Sequence, residues 1–161
     1  MSSLPKQLES FAKIRFQDCD PFNHLNNAAY INYFINARED QLIKHYDIDI
    51  YKLARTEGKS WVVASNQIAY LKPAMLMEEV CIASQLMEFN NHTLKVELQM
   101  WNASKTELKA VLWSNFVHFN LLAQKKETHS QNFMNLFASI AVPTTSTTFE
   151  HRISTLRSQM V

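Results

Sequence analysis

The chain has 161 residues, of which 47% are hydrophobic, and its formal net charge at pH 7 is +1. The length predicts one domain, or one domain with a short extension, and the hydrophobic share is enough to build a substantial core. The near-neutral charge excludes a strong electrostatic field that would attract nucleic acid or an anionic membrane.

The first predicted elements are a short strand and a polar loop. Residues 11–17 alternate, with Ala12, Ile14 and Phe16 on one side and mainly polar residues on the other, which predicts a strand. The loop DCDPFNHLN follows and is broken by Pro21 and by asparagines. It places two aspartates and a histidine directly in front of an apolar, helix-like run.

That run predicts a long helix from residue 28 to about residue 46. Asn26 or Asn27 can cap its first free amides. Its polar residues recur every four positions and form one narrow stripe, made of Asn32, Asn36, Asp40 and Lys44. Apolar residues fill most of the remaining circumference, which is typical of a buried helix. At 1.5 Å per residue it is about 28 Å long, enough to lie across a small sheet.

The rest of the chain predicts a short helix, four strands and a helical tail. Residues 47–58 form the short helix, which ends at Gly58. Strands are predicted at residues 61–71, 79–89, 94–101 and 107–122, and the short turns between the later ones favour antiparallel pairing. In the third of them we expect Leu94, Val96, Leu98 and Met100 to face the core, and Lys95, Glu97 and Gln99 to face water. Helices are predicted at residues 128–140 and 149–160.

This order of elements predicts an α+β fold. An antiparallel β-sheet wrapped around one long α-helix buries every apolar face. We expect the core domain to comprise residues 1–122 and a C-terminal helical extension to comprise residues 123–161.

Glycine and cysteine are both scarce. Gly58 is the only glycine, which excludes glycine-rich phosphate-binding loops and dinucleotide fingerprints. Cys19 and Cys81 are too few for a disulfide framework, the N-terminus has no apolar signal core, and no apolar run approaches the roughly 20 residues of a membrane helix. We therefore expect a soluble cytoplasmic protein, without a membrane or nucleic-acid partner.

The block from Arg15 to Asp40 carries a family resemblance. Its motif residues are Asp18-x-Asp20, His24-Leu25-Asn26-Asn27, Tyr30, Tyr33-Phe34 and Ala37-Arg38, and residues 69–74 add AYLKPA. This pattern resembles the hotdog-fold acyl-CoA thioesterases of the 4-hydroxybenzoyl-CoA thioesterase type, in element order over residues 11–122. The resemblance implies the hotdog fold, thioester hydrolysis without a cofactor, and a homodimer or homotetramer.

Two positions depart from that family's pattern. Asn23 stands where a glycine is usual, and asparagine is among the residues that best tolerate a positive φ, so we expect the turn to survive. Asn27 stands where some relatives carry a histidine, so no histidine-dependent variant of the mechanism is expected.

The resemblance also implies roles for the residues of the loop. Asp20 would be the catalytic acid, acting as nucleophile or general base. The free amides at the start of the helix separately indicate an oxyanion donor, and we assign that role to the Asn27 backbone amide. His24, Asn26 and Tyr30 would contact the substrate. From spacing alone, Asp18 and Asp20 could equally be turn and cap residues; we assign that role to Asp18, and a loop hydrogen bond is the preferred alternative for His24.

Other polar residues give weaker indications. His118 is interpreted as a packed or interface histidine, and the remaining histidines show no ligand spacing, so no metal site is expected. Four lysines are candidates for the CoA phosphates or are ordinary solvated lysines, namely Lys72, Lys95, Lys105 and Lys109.

The leading hypothesis is therefore an acyl-CoA thioesterase, with an acyl carrier protein thioester as the other substrate form. A non-catalytic hotdog module that binds acyl-CoA, or serves as a partner subunit, is the alternative. A hotdog dehydratase is the third hypothesis, but its histidine-containing block has no counterpart here.

Overall fold

The computed structural model describes residues 3–160. The outer ends of the predicted core domain and C-terminal extension, residues 1–2 and residue 161, lie outside this described part. The strands are β1 (Gln7–Lys13), β2 (Lys59–Tyr70), β3 (Glu79–Phe89), β4 (Thr93–Asn102), β5 (Leu108–Asn120) and β6 (Lys125–Lys126). The α-helices are α1 (Tyr30–Tyr46), α2 (Ile50–Glu57), α3 (Gln131–Ile140) and α4 (Phe149–Ser158), and short 3-10 turns occur at Phe16–Asp18 and Asn27–Ala29.

The strands form one antiparallel sheet in the order β1-β3-β4-β5-β2, with the short β6 paired to β5. The expected meander is present as β3-β4-β5, whose turns are short. β2 pairs with β5 rather than with β3, so β1 and β2 form the two edges of this path.

Helix α1 lies across the inner face of the sheet, as predicted. Tyr30, Phe34 and Ala37 are buried in the main core, against inner-face side chains of β3, β4 and β5. The four members of the predicted polar stripe are all exposed. The helix ends at Asp47, whose φ of 55° is left-handed.

The two C-terminal helices cover opposite faces of the sheet. On the inner side, Phe133 and Phe137 of α3 pack edge-on against Trp61 of β2, with ring centroids 5.1 and 6.4 Å away. On the outer side, α4 places Phe149 and Leu156 over a second apolar cluster that includes Trp113. The sheet is therefore sandwiched between helices of its own chain.

The outer-face packing overturns one sequence expectation. Glu97 and Gln99 were predicted to face water, but they are 1% and 6% exposed. The reason is α4, whose Arg152 donates to both carboxylate oxygens of Glu97 at 2.8 Å. Burial alone would raise the pKa of Glu97, but the hydrogen bonds from Arg152 and Trp113 lower it below its ordinary value.

The first strand is also displaced from its prediction. It spans Gln7–Lys13 rather than residues 11–17, because Leu8 is an earlier core position and is 1% exposed. Ile14 is buried as expected, but Phe16 is 77% exposed and lies in a 3-10 turn. The chain turns here, and that turn carries the polar loop toward the start of α1.

Candidate active site

The polar loop folds back on itself. Cys19 and Leu25 form an isolated antiparallel bridge. Within it, the amide of Asp20 donates to the carbonyl of His24 at 2.8 Å, and the amide of Asn23 donates to the carbonyl of Asp20 at 3.0 Å. Asn23 has a φ of 63°, so asparagine supplies the left-handed turn as predicted.

A second segment holds the loop from outside. The amide of Leu25 donates to the carbonyl of Ala74 at 2.8 Å, and the amide of Leu76 donates to the carbonyl of Asn23 at 2.9 Å. His24 and Met75 form a further bridge. Because backbone bonds fix both sides of the loop, the side chains it carries have defined directions.

Asp20 is half-buried, and its carboxylate is oriented by the loop itself. Its Oδ1 accepts from the amides of Phe22 at 2.9 Å and His24 at 3.2 Å. Within residues 3–160, Oδ2 accepts no hydrogen bond. One oxygen therefore positions the side chain, and the other is available to a substrate or a water molecule.

Asp18 is hydrogen-bonded to residues around the turn. Its Oδ2 accepts from the hydroxyl of Tyr33 at 2.6 Å, and that hydroxyl in turn accepts from the amide of Arg15 at 3.0 Å. Its carbonyl accepts from the amide of Asn26 at 2.9 Å. Burial, and then the hydrogen bond to Asp18, raise the pKa of Tyr33. These contacts agree with the turn-stabilising role assigned to Asp18.

The start of the long helix presents one free amide. Asn26 is the cap, because its Oδ1 accepts from the amide of Ala28 at 2.9 Å and its carbonyl accepts from the amide of Ala29 at 2.8 Å. In the described part of the chain, the amide of Asn27 has no acceptor. The hydroxyl of Tyr70 donates to the carbonyl of Asn27 at 3.0 Å and so ties this turn to the end of β2.

Tyr30 and His24, both predicted to contact substrate, lie on either side of this turn. Tyr30 is 2% exposed, its hydroxyl accepts from the amide of Ala74 at 3.3 Å, and burial raises its pKa. Its ring meets that of Tyr70 edge-on at 5.0 Å. His24 is half-buried, and its ring centroid is 6.4 Å from that of Phe22. Their substrate contacts stay predictions.

Cys19 lies beside Asp20 but is unsuited to be a nucleophile. Burial raises the pKa of its thiol, and the neighbouring Asp20 and Asp18 raise it further. The thiol donates to the carbonyl of Arg15 at 3.3 Å. Because the thiolate is the reactive form, this environment disfavours Cys19 as a nucleophile.

The lysines considered for CoA phosphates all meet a carboxylate. Lys72, Lys95 and Lys105 pair with Glu107, Glu88 and Glu9 respectively. Lys109 was expected to be solvated if it had no phosphate role, but it is 3% exposed and pairs with Glu78 and Glu107 at 3.0 and 3.2 Å. It anchors the segment before β3, since its Nζ also donates to the carbonyl of Pro73.

Sequence reasoning missed a cavity under the second half of α1. It has a volume of about 80 Å³ and is lined by side chains of α1, the start of α2 and the residues before it, the sheet and α3. Asp20 is not among its lining residues. The sequence signal was the helical spacing of Ile35 and Leu42, which place apolar side chains along one face of α1.

Residues 3–160 contain no group of three or more histidine, cysteine, aspartate or glutamate side chains that could hold a metal ion. In that same range, no helix combines the length and apolar character that crossing a membrane requires.

Comparison with known proteins gives a family and a fold. A family model described as "Thioesterase-like superfamily" matches residues 14–154. The long-chain acyl-CoA thioesterase FadM of Escherichia coli (strain K12) is 30% identical over 83 residues, which are 52% of this chain and 61% of that protein. The chain thus matches 61% of the length of this curated relative.

Three solved structures share the architecture. YbaW, a probable thioesterase from Escherichia coli, is 23% identical with a TM-score of 0.71, over 84% of this chain and 99% of that one. Slr0204, a 1,4-dihydroxy-2-naphthoyl-CoA thioesterase from Synechocystis, is 13% identical with a TM-score of 0.75, over 85% and 99%. SAV2348 from Staphylococcus aureus, in complex with CoA, is 12% identical with a TM-score of 0.78, over 94% and 95%. The expected hotdog fold is confirmed.

Proposed function

This chain belongs to the thioesterase-like superfamily, and on that premise we propose that it hydrolyses acyl-CoA thioesters to a free acid and CoA. The observation that carries the proposal is that one loop holds an oriented carboxylate and leads directly into an unpaired amide at the start of a buried helix. Asp20 supplies the carboxylate and Asn27 supplies the amide.

The chemistry needs a nucleophile and a donor for the oxygen that gains charge. The Oδ2 atom of Asp20 either attacks the thioester carbonyl or takes a proton from an attacking water molecule. The carbonyl oxygen then becomes negative and accepts from the amide of Asn27, at a helix end whose dipole favours an anion. The C–S bond breaks, the CoA sulfur leaves and is protonated, and the acid is released, directly or after hydrolysis of the anhydride that attack by Asp20 forms.

The substrate class rests on the relatives. FadM is a long-chain acyl-CoA thioesterase, and SAV2348 was solved with CoA. An acyl-CoA is therefore the preferred substrate, and an acyl carrier protein thioester is the other form that the same site could cleave. Substrate contacts by His24, Asn26 and Tyr30 belong to this proposal.

We further propose that the working unit is a homodimer, or a tetramer built from it, joined along β2. Among the strands of residues 3–160, β2 pairs only with β5, and six consecutive residues of β2, 62–67, are exposed. The opposite edge, β1, carries charges that discourage pairing, including Lys13 and the Glu9–Lys105 ion pair. Because β2 ends at Tyr70, which contacts Asn27, a partner on this edge would lie close to the proposed site.

The test is turnover of an acyl-CoA panel with a thiol reagent, using wild type and Asp20→Asn. The amide oxygen can still accept from the amides of Phe22 and His24, so the loop should keep its shape. We expect kcat to fall by about 10²–10⁴-fold, the usual contribution of a positioned acid or base.

Asp18→Asn is the matched control, because it removes the same charge from the same loop. We expect it to retain activity within about tenfold, since Asp18 supports the turn rather than the chemistry. Wild-type rates in Asp20→Asn would remove Asp20 from its role. Binding of acyl-CoA without release of thiol across the whole panel would favour the non-catalytic module instead.

A further inference from the structure

The cavity under α1 has almost entirely apolar walls. They come from α1, the α1–α2 connection, the start of α2, four strands and α3, and include Leu42, Trp61, Leu86, Phe116 and Phe137. The polar ends of its tyrosine and tryptophan are already occupied, as Tyr46 donates to the carbonyl of Pro5 and Trp61 to His129. A site with this lining suits a hydrocarbon chain.

One lining residue does not fit a purely hydrocarbon ligand. Arg38 is 7% exposed, and its only hydrogen bond in the described part of the chain goes to the hydroxyl of Ser84, at 2.8 Å. No carboxylate within residues 3–160 forms an ion pair with it. Burial lowers its pKa to about 10. A buried cation without a counter-charge is costly, and the cost is relieved when an anion enters.

The nearest acid on α1 does not neutralise it. Glu39 also lines the cavity, but its Oε1 accepts from the hydroxyl of Tyr51 on α2, at 2.8 Å. Tyr51 is 56% exposed, so this carboxylate belongs to the solvent side of the cavity. The remaining donors of Arg38 are left for a ligand.

The cavity lies along the second half of the helix that begins just after the proposed catalytic amide. Ile35, Arg38 and Leu42 all line the cavity and are spaced by three or four residues, so they share a face of α1. Arg38 lies eleven residues beyond Asn27, or about 16 Å along the axis. A chain that starts at the amide of Asn27 and follows this face reaches Arg38 at its far end.

We propose that this cavity binds an apolar chain that ends in a carboxylate, with the guanidinium of Arg38 as the partner of that carboxylate. The inference rests on the proposed function, because the proposed catalytic amide of Asn27 sets where the bound chain would begin. Two ligands carry this chemistry. One is an acyl-CoA made from a dicarboxylic acid, whose distal carboxylate reaches Arg38, and the other is a free fatty acid that enters head first.

The experiment measures binding by calorimetry on the full chain carrying Asp20→Asn, so that thioesters are not consumed. One arm compares dodecanedioyl-CoA with lauroyl-CoA, and the other compares laurate with dodecanol. The carboxylate member of at least one pair should bind about 10- to 100-fold more tightly, the usual gain from a hydrogen bond to a charged group. Arg38→Met should remove that preference, and Arg38→Lys should keep part of it.

The two arms separate the sources. A preference confined to the CoA pair identifies the distal carboxylate of the substrate, and one confined to the free pair identifies a fatty-acid site. Equal affinities within both pairs would overturn the proposal, and this comparison does not depend on the Arg38 variants folding. Because the readout is affinity, failure of hydrolysis in the wild type would leave this result standing.

Discussion

The backbone amide of Asn27 can be removed without changing any charge. Proline is tolerated at the first position of a helix, where its missing N–H has no helical partner. The preceding residue, Asn26, already has a ψ of 135°, which suits a residue before proline. We expect Asn27→Pro to reduce kcat by about 10²–10³-fold, as loss of one oxyanion donor does.

Asn27→Ala is the control for this prediction, because it deletes the side chain and keeps the amide. Its turnover of the same acyl-CoA should stay near that of the wild type. Circular dichroism and a thermal melt on both variants check that the helix start is intact. Equal losses in the two variants would assign the effect to the side chain rather than to the amide.

At this scale the sequence was informative where backbone chemistry is local. The positive φ at Asn23 and a capping asparagine before the helix followed from residue preferences, and Asn26 proved to be the cap. Arg38 shows the limit. Its position next to Ala37 on a helix does not show that, within residues 3–160, no carboxylate pairs with it, because the group it does bond, Ser84, lies far along the chain.

At the scale of elements, the link between α3 and the sheet depends on His129, which makes both of its hydrogen bonds only when its ring is neutral. The Nε2 of His129 accepts from the indole N–H of Trp61 at 2.9 Å, and its Nδ1 faces the carbonyl of Asn90 at 2.8 Å. Only the neutral ring with its proton on Nδ1 satisfies both. Its ring stacks on that of His118 at 5.0 Å, and burial lowers the pKa of both histidines.

This arrangement predicts an acid-sensitive stability. Unfolded histidine has a pKa of about 6.5, so below that pH the unfolded chain binds protons that folded His118 and His129 do not. The free energy of unfolding should therefore fall as pH drops below about 6.5, by up to roughly 1.4 kcal/mol per pH unit for each histidine. Above that pH both states are neutral at these residues, and they add no slope.

Urea unfolding of the wild type and of His129→Gln, at several pH values between 5 and 7.5, measures how steeply the free energy of unfolding changes with pH. Glutamine can accept from Trp61 and donate to Asn90 but does not titrate, so the slope should decrease. His151→Gln, at an exposed position of α4, should leave it unchanged. An unaltered slope in His129→Gln would show that this histidine is not the sensor.

The same scale shows what hydrophobic periodicity can and cannot supply. Together with the turn residues, it placed β3 at its observed limits and located the four α-helices of residues 3–160. It failed at Glu97 and Gln99, since alternation reports which side of a strand is polar and not whether another helix later covers that side. The division into residues 1–122 and a helical extension stays a prediction, and α3 and α4 pack on the sheet as parts of its two cores.

At the scale of the whole molecule, the proposed homodimer depends on pairing along the exposed edge of β2, which would bring a second chain close to the proposed site. Val62 and Val63 are 40% and 48% exposed in the middle of a strand, an arrangement that invites pairing with another edge. In an antiparallel pair about a twofold axis, equal charges near the axis lie close together and repel. We therefore expect Val63→Glu to convert the oligomer to a monomer.

Light scattering at micromolar concentration should give one chain mass for Val63→Glu and at least twice that mass for the wild type. If a partner completes the site, the monomeric Val63→Glu variant should also turn over acyl-CoA more slowly than the wild type, while its circular dichroism spectrum stays unchanged. Ile43→Glu is the matched control, because Ile43 is 47% exposed and lies on α1, away from the edge. A monomeric wild type with full turnover would contradict the assembly, since the single chain would then hold every group that the hydrolysis requires.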